Sequence, residues 1–509
     1  MEKNSWRIKK KQQISYTEVD NDNFSSLYDS ILDVISQAHY IAIDTEFSGH
    51  KKDINKNMED RYKDLSDIIR SHSLLSFGLT VITDSSIPAT ATTTSTTKDG
   101  KDPSKATLYQ FSNFEFLTLN QQSFKIDPTN IKFLVENGFD FSRIFQIGIP
   151  FTSGNNSPYS SSTSTSYHKK HNNNNNSDSN NELLRQLWHS ILRVIHEKSI
   201  PIIVHNGLLD IMYLYDSFIT SLPSKLSTFV ADLVEMFPSG IYDTKYISTS
   251  LVGESKSYLA YLYCKYSRLQ EEQKESSHYS WSIQMLPNLK TNQNKTSEST
   301  TIKTVANKFN SIHDDKSDND NDREMSPAKK RRLRSKKFKD KKNTSGICGQ
   351  YSQHGWCTKG GECTLSHDMD VILDFDLGIK KSGNIELNHH NNTNNEKEEE
   401  QSLIIKNGSV NDNKNSEESN MSLSSSISEP RRDHASHFDA FMTAFVFCYY
   451  KSTLSKETLS DSINKLNLMR LNIPLRIAES HYSKPSEEWS YIKSKIWPNP
   501  DKSSASNAV

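Results

Sequence analysis

Hydrophobic positions in this chain gather into short runs separated by long polar tracts. The runs "HYIAIDTEF", "HSLLSFGLTVI", "TLYQFSNFEFLTL" and "IPIIVHN" are rich in Ile, Val, Phe and Tyr, and each has the length of a buried or half-buried strand. Helical spacing alternates with them. In "ELLRQLWHSILRVIHEK" the residues Leu184, Leu187, Trp188, Ile191 and Ile195 recur at i, i+3, i+4, which gives one face fit to pack on a sheet. "HFDAFMTAFVFCYYKS" carries a broader apolar surface and predicts a well-buried helix late in the chain, and "NKLNLMRLNIPLRIAES" predicts a short closing strand or loop. Strands followed by helices on this scale predict an α/β layer architecture around a mixed sheet.

Four tracts interrupt the pattern: Asp84 to Lys105, Ser153 to Asn181, Thr291 to Lys342 and Asn388 to Pro430. None holds enough apolar surface to offset the entropy of ordering, so all four are expected to be disordered insertions. Composition agrees, because only 34% of the 509 residues are hydrophobic and mean hydropathy is -0.71. The formal net charge of -1 excludes neither an acidic nor a basic partner, since the 61 Lys and Arg and the 62 Asp and Glu sit in separate blocks. "MEKNSWRIKKKQQ" has no apolar stretch after its basic residues, and no run of about 18 apolar residues occurs, so the chain is expected to be soluble, intracellular and free of membrane contact. Of five cysteines, Cys348, Cys357 and Cys363 crowd one segment, which suits a metal site in a reducing compartment better than a disulfide framework.

"YIAIDTEFSGH" raises the first chemical question. On an extended strand, Asp44 and Glu46 project to one face with Thr45 opposite, so two like charges lie side by side. Either the strand end is solvated, or a cation lies between the carboxylates and offsets their repulsion. Further acids are needed to decide. Asp210 follows the buried run Ile202 to Val204 and falls in the first turn of a helix, where the macrodipole alone would favour it; Asp216 is better explained as an ordinary helix acid. Asp439 opens the late apolar helix, and His434, five residues earlier, is either a surface histidine or a group aimed into the same cleft.

Together these residues resemble the DEDDh 3'-to-5' exonucleases: D-x-E on a first strand, a helix Asp, and H-x4-D near the end. "DTEFSG", "RYKDLSDIIRSHSLLSFGLT", "FLVENGFDFSRIFQIGIPF", "VHNGLLDIMYLY", "FPSGIYDTKYI" and "HFDAFMTAFVF" are similar to the poly(A)-specific ribonuclease branch that includes the CAF-type deadenylases. The resemblance implies a ribonuclease H-like α/β fold, a mixed central sheet flanked by helices. It also implies two divalent cations, magnesium or manganese, held by Asp44, Glu46, Asp210 and Asp439, with His434 as general base toward water. One departure from the family pattern is His437, where a glycine is usual; the H-x4-D spacing favours His434 over it.

The segment "CGQYSQHGWCTKGGECTLSH" spaces Cys348, Cys357, Cys363 and His367 as a CCCH zinc finger, whose four ligands close a structural zinc shell. His354 is not a ligand by spacing. Such fingers are associated with single-stranded RNA; Tyr351, Trp356 and Lys359 could stack on or pair with it, or an aromatic could pack the finger's small core. Loss of Cys357 is expected to weaken RNA binding or trimming and leave the nuclease core folded. Just upstream, residues 329–342 hold ten basic residues against one acid. Lys329, Lys330, Arg331, Arg332, Arg334, Lys336 and Lys337 are expected to engage an import receptor, although the same run could clamp nucleic acid or be a solvated linker.

The expected organisation is a discontinuous nuclease domain, 15–290 and 430–485, with disordered inserts near 84–105 and 153–181. A disordered linker 291–342, a finger 345–370, a disordered stretch 388–430 and a tail 486–509 complete it. A finger inserted inside the nuclease resembles the nuclear target-of-early-growth-response branch of the family. That branch implies a nuclear, Cajal-body-associated enzyme trimming adenosine-ended tails of small nuclear RNAs. A messenger-RNA poly(A) deadenylase, a DNA exonuclease and a non-catalytic RNA-binding adaptor are the alternatives.

Overall fold

The structure, a computed structural model, describes residues 14–50, 57–88, 105–154, 177–275, 281–290, 346–378 and 435–497. Its strands are β1 (Thr17–Val19), β2 (Tyr40–Phe47), β3 (Leu74–Pro88), β4 (Lys105–Asn120), β5 (Ile149–Phe151), β6 (Ile202–Val204), β7 (Ile241–Asp243), β8 (Trp281–Met285), β9 (Lys465–Leu466) and β10 (Leu475–Arg476). The helices that matter here are α1 (Phe24–Ser36), α2 (Met58–Ile69), α3 (Ser177–Lys198), α4 (Leu208–Leu214), α5 (Leu226–Met236), α6 (Leu259–Glu275), α7 (Gly349–His354), α8 (Met369–Asp376), α9 (Ser436–Thr453) and α10 (Glu487–Ile496). No described helix is long and apolar enough to cross a membrane.

The main sheet runs β1-β4-β3-β2-β6-β7 and is mixed. β2, β3 and β4 are antiparallel neighbours, whereas β6 pairs parallel with both β2 and β7. The far edge of β4 is shared by three short parallel strands, β8 at Thr107 to Phe111, β1 at Phe114 to Phe116 and β5 at Thr118 to Asn120.

Strand parity sorts the side chains into two cores, one on each face of the sheet. Ile41 and Ile43 of β2 join Phe77, Phe116, Ile202 and the apolar stripes of α1, α3, α4 and α5 on the first face. Ala42 of the same strand faces the second core, with Tyr109, Phe111, Ile203 and the helices α6, α8 and α9. The result is helices on both faces of a mixed sheet, the layered α/β architecture that the pattern predicts.

Three boundaries move. The Thr/Ser-rich tract expected to be disordered from 84 is still strand to Pro88, paired in register with Lys105 to Tyr109. Its acid is not idle: Asp84 pairs with Lys451 of α9 and with His39, which anchors a polar stretch that hydrophobic patterning cannot flag. α3 likewise begins at Ser177, inside the 153–181 tract. At the other end, the stretch read as a tail from 486 holds α10, whose Trp489 and Ile496 are buried in the first core. Ser486 caps that helix and also donates to the Asp232 carboxylate at 2.7 and 2.8 Å. The expected linker 291–342 with its basic residues Lys329 to Lys337, the stretch 388–430 and His434 lie outside the described residues.

Candidate active site

β2 delivers Asp44 and Glu46 to the second face of the sheet, the face covered by α9. A glycine brings α9 close. Gly78 lies opposite Asp44 in the ladder, and a Cβ there would fall 2.1 Å from the Ser436 carbonyl oxygen. Ser76, opposite Glu46, meets the Ser436 hydroxyl at 3.1 Å. The first turn of α9 is thereby pressed onto the strand pair, and Asp439 in that turn meets the two β2 acids. One carboxylate oxygen from each of Asp44, Glu46 and Asp439 lies within 4.8 Å of the others.

Asp210 arrives from the opposite layer. Thr45 points to the first face, as parity requires, and both its amide (3.1 Å) and its hydroxyl (2.6 Å) donate to Asp210 Oδ1 in the first turn of α4. Asp210 is therefore held beside the triad by a side chain of the same strand, without joining the three-oxygen group. Burial raises the Asp210 carboxyl to about 6, against the lowering effect of its hydrogen bonds with Thr45. Asp44 is pushed well above the ordinary carboxylate range by burial and then by the charges of Asp439, Asp210 and Glu46. Such clustered, mutually repelling oxygens fit hard divalent cations, which accept all-oxygen donor sets. The donors here match in type and in spacing.

The turn that leads into α4 carries backbone strain. Asn206 adopts φ 59°, a left-handed conformation unusual outside glycine. It is held there by two bonds that a third closes into a ring: its amide donates to Asp243 Oδ1 at 2.8 Å, its side-chain oxygen accepts from Asn467 Nδ2 at 2.8 Å, and the Asn467 amide donates to Asp243 Oδ2 at 2.8 Å. Asp243 is fully buried and its charge also raises Asp210. Sequence reasoning missed this staple and missed Thr45 and Gly78. Only Gly78 left a signal, a glycine inside an apolar strand pattern, which marks close backbone approach.

His437 proves to be no rival for the cleft. Its ring stacks on Tyr16 at 3.7 Å and 16°, and its Nδ1 lies 3.0 Å from Glu115 of β4 without the alignment of a hydrogen bond. It packs α9 against the β1 edge. Asp216 is buried and accepts from the Leu222 amide at 3.2 Å, which makes it a structural acid.

The cysteine segment also closes on itself. One atom from each of Cys348, Cys357, Cys363 and His367 lies within 4.8 Å of the rest, and the Sγ atoms of Cys348 and Cys357 are 3.6 Å apart. A tetrahedral zinc shell with arms of about 2.3 Å has an edge of about 3.8 Å, so this spacing fits the ion and is far too long for a disulfide. His367 Nε2 is buried and has no hydrogen-bond partner, as an atom reserved for a metal should be. Tyr351 stacks on that imidazole at 4.3 Å and 8°, so of the two aromatics it packs the finger. Trp356 is 51% exposed, and His354 stays outside the ligand group.

A mixed sheet covered by helices on both faces, with carboxylates converging on the end of its second strand, defines an α/β protein with an oxygen-donor site. The chain belongs to the CAF1 family ribonucleases, whose family model matches residues 19–447. Over 146 residues it is 29% identical to an uncharacterized protein of Schizosaccharomyces pombe; the match covers 27% of this chain and 30% of that protein, so the chain spans under a third of that relative. Among solved structures it is similar to the S. pombe Pop2p in a Mg2+- and Mn2+-bound form, at 18% identity and TM-score 0.30 over 49% of this chain and 80% of that one. The RNase domain of the yeast Pop2 protein matches at 14% identity and TM-score 0.31, over 49% and 74% of the two chains. A chain from the yeast NOT1 MIF4G domain co-crystallized with CAF1 matches at 14% identity and TM-score 0.28, over 50% and 78%.

Proposed function

We propose that this chain is a divalent-cation-dependent 3'-to-5' exoribonuclease that removes adenosines from RNA 3' ends. The observation that carries the reading is the convergence of Asp44, Glu46 and Asp439 within 4.8 Å, with Asp210 fixed beside them by Thr45. Asp44, Glu46, Asp210 and Asp439 would hold the cations, and the Mg2+ and Mn2+ of the S. pombe Pop2p suit this donor set. When bound, two such cations supply the positive charge that offsets the scissile phosphate and lowers the pKa of water. The protein's own part is placement: β2 and α9 fix three oxygens, and Thr45 keeps Asp210 aimed at them. His434 is the group we assign to take the proton as water attacks phosphorus; the P–O3' bond then breaks and a nucleoside 5'-monophosphate leaves.

The decisive experiment is trimming of a 5'-labelled, A-tailed RNA in magnesium. A Asp44→Ala, Glu46→Ala double variant is expected to be slower by more than about a hundredfold, because losing direct ligands exceeds the 10–100-fold typical of outer-shell losses. Equal rates would sink the assignment. His434→Ala should slow trimming by about a hundredfold or more and remove the acidic limb of its pH dependence, where a base becomes protonated, whereas His437→Ala should lower stability and leave that profile unchanged. RNA and DNA competitors separate the two substrate classes through the 2'-hydroxyl.

The finer reading is a nuclear enzyme acting in small nuclear RNA 3'-end maturation, with a zinc finger that meets single-stranded RNA. The basic residues 329–342 support nuclear import by their composition, and the exposed Trp356 and Lys359 offer a stacking face and a charge. Sequencing RNA 3' ends after depletion tests the substrate: extended small nuclear RNAs support this reading, and lengthened messenger tails alone oppose it. A fluorescent fusion lacking 329–342 that stays nuclear would remove the import role.

A further inference from the structure

The finger is inserted between β8 and α9, and an inserted module on a tether would leave few contacts with its host. Here the contacts are dense. Ile347, Ile372 and Leu373, from the finger and the helix α8 that follows it, are buried in the same core as Phe441 and Phe445 of α9 and Leu262 of α6. Arg268 of α6 reaches Asp374 at 2.8 Å and also pairs with Asp370, so it grips α8 at two points. Lys256 donates to Asp376 at 2.6 Å and to Ser352 of α7 at 2.7 Å. The turn after α7 fits its host as well: Gly355, at φ 77°, sits so close to Tyr258 that a Cβ would come within 2.6 Å of its ring.

The segment 253–258 faces the nuclease on its other side. The Ser257 carbonyl accepts from His205 Nε2 at 3.1 Å and from Lys245 Nζ at 3.0 Å. His205 begins the strained His205-Asn206-Gly207 turn that sets Asp210, and Lys245 follows Asp243, which holds Asn206. A short strap is thus bonded to the finger through Lys256 and to the metal-facing turn through Ser257. On α6 the same finger-bearing unit is packed against α9, which carries Asp439.

From this we infer that the zinc finger is a structural part of the nuclease domain, and that its metal loading, transmitted through Lys256 and Arg268, fixes the positions of the Asp210 turn and of α9. The inference rests on the finger holding zinc. It adds to the expectation that loss of Cys357 leaves the nuclease core folded: the core stays folded but is less firmly held at α6 and α9.

The experiment compares the full chain, without RNA, as wild type, as Cys357→Ser and as a Lys256→Ala, Arg268→Ala double variant whose zinc ligands are intact. Zinc content is measured by elemental analysis, and hydrogen exchange is followed at 255–268 and at 436–450. Wild type should carry one zinc per chain. In Cys357→Ser the zinc is lost and exchange at both segments becomes faster by about tenfold or more; in the double variant zinc stays and the same acceleration appears. In a separate assay with RNA, the magnesium needed for half-maximal trimming should rise in both. A zinc-free Cys357→Ser chain with unchanged exchange at α6 and α9 overturns the coupling, as does unchanged exchange in the double variant. Wild type without zinc overturns the zinc reading separately, and if Cys357→Ser is insoluble the double variant decides.

Discussion

A threonine between two acids does more for this site than its neighbours suggest. Thr45 gives two hydrogen bonds to Asp210 from the face that Asp44 and Glu46 do not use, so one strand serves both layers. Thr45→Val keeps the amide bond and loses the hydroxyl. The expected result is a 10- to 100-fold rise in the magnesium needed for half-maximal trimming, roughly the usual effect of an outer-shell loss. Asp210 also fixes a pH dependence. Its folded pKa of about 6 stands above the ordinary 3.8, so the folded state favours the protonated acid, and without divalent cations stability falls as pH rises from about 4 through 6. The effect of this group is at most about 3 kcal/mol, since each pKa unit is about 1.4 kcal/mol. Thermal melting in chelator at pH 4.5 and 7.5 checks it: Asp210→Asn should narrow the difference, and magnesium should restore stability at the higher pH. Strand parity made Asp44 and Glu46 legible as a same-face pair, whereas Asp210 and Asp439 read alone as ordinary helix acids and joined them only through the resemblance to the DEDDh pattern. Thr45 was not, because an alcohol on a strand carries no mark of its partner 165 positions away.

At the scale of elements, the site depends on how closely α9 can approach β3. Gly78→Ala places a methyl group against the backbone of Ser436 and His437, which are held by the Ser76 contact and the Tyr16 stack and have little room to move. Overpacking of this kind costs about 1–3 kcal/mol, and the displaced helix takes Asp439 with it. Both a lower melting temperature and a loss of trimming are expected; a stable, fully active Gly78→Ala would show that α9 does not need this approach. The long strands and the late helix were legible from their runs of Ile, Val and Phe. β1, β5 and β7 were not, since three residues cannot display a period. α8 escaped for another reason: the apolar residues of "MDVILDFD" are cut by three acids, whose partners Arg268 and Lys256 lie 102 to 120 positions away in the sequence.

Across the whole molecule, distant stretches of chain complete one another. Trp489 is fully buried in the first core, and its indole nitrogen donates to Glu235 of α5 at 2.9 Å. Trp489→Ala should cost about 3–5 kcal/mol, the range for emptying a buried aromatic site. Its per-molecule trimming rate should stay unchanged below the new melting temperature, because Trp489 is buried in the first core, whereas Asp44 and Glu46 face the second. The apolar content of "EEWSYIKSKI" is too sparse to announce that role, so the C-terminal boundary could not be set from pattern alone. The wide separation of the acids has a temporal consequence. Asp44 and Asp439 are 439 minus 44, or 395, positions apart, and the helix that carries Asp439 is made after the sheet and the finger. A growing chain on the ribosome can form β2, β3 and β4 and still hold an incomplete set of carboxylates. Closure between such distant stretches comes late, so the set of carboxylates is completed only once α9 has been made and has docked on β3, well after the strand that carries its first two acids.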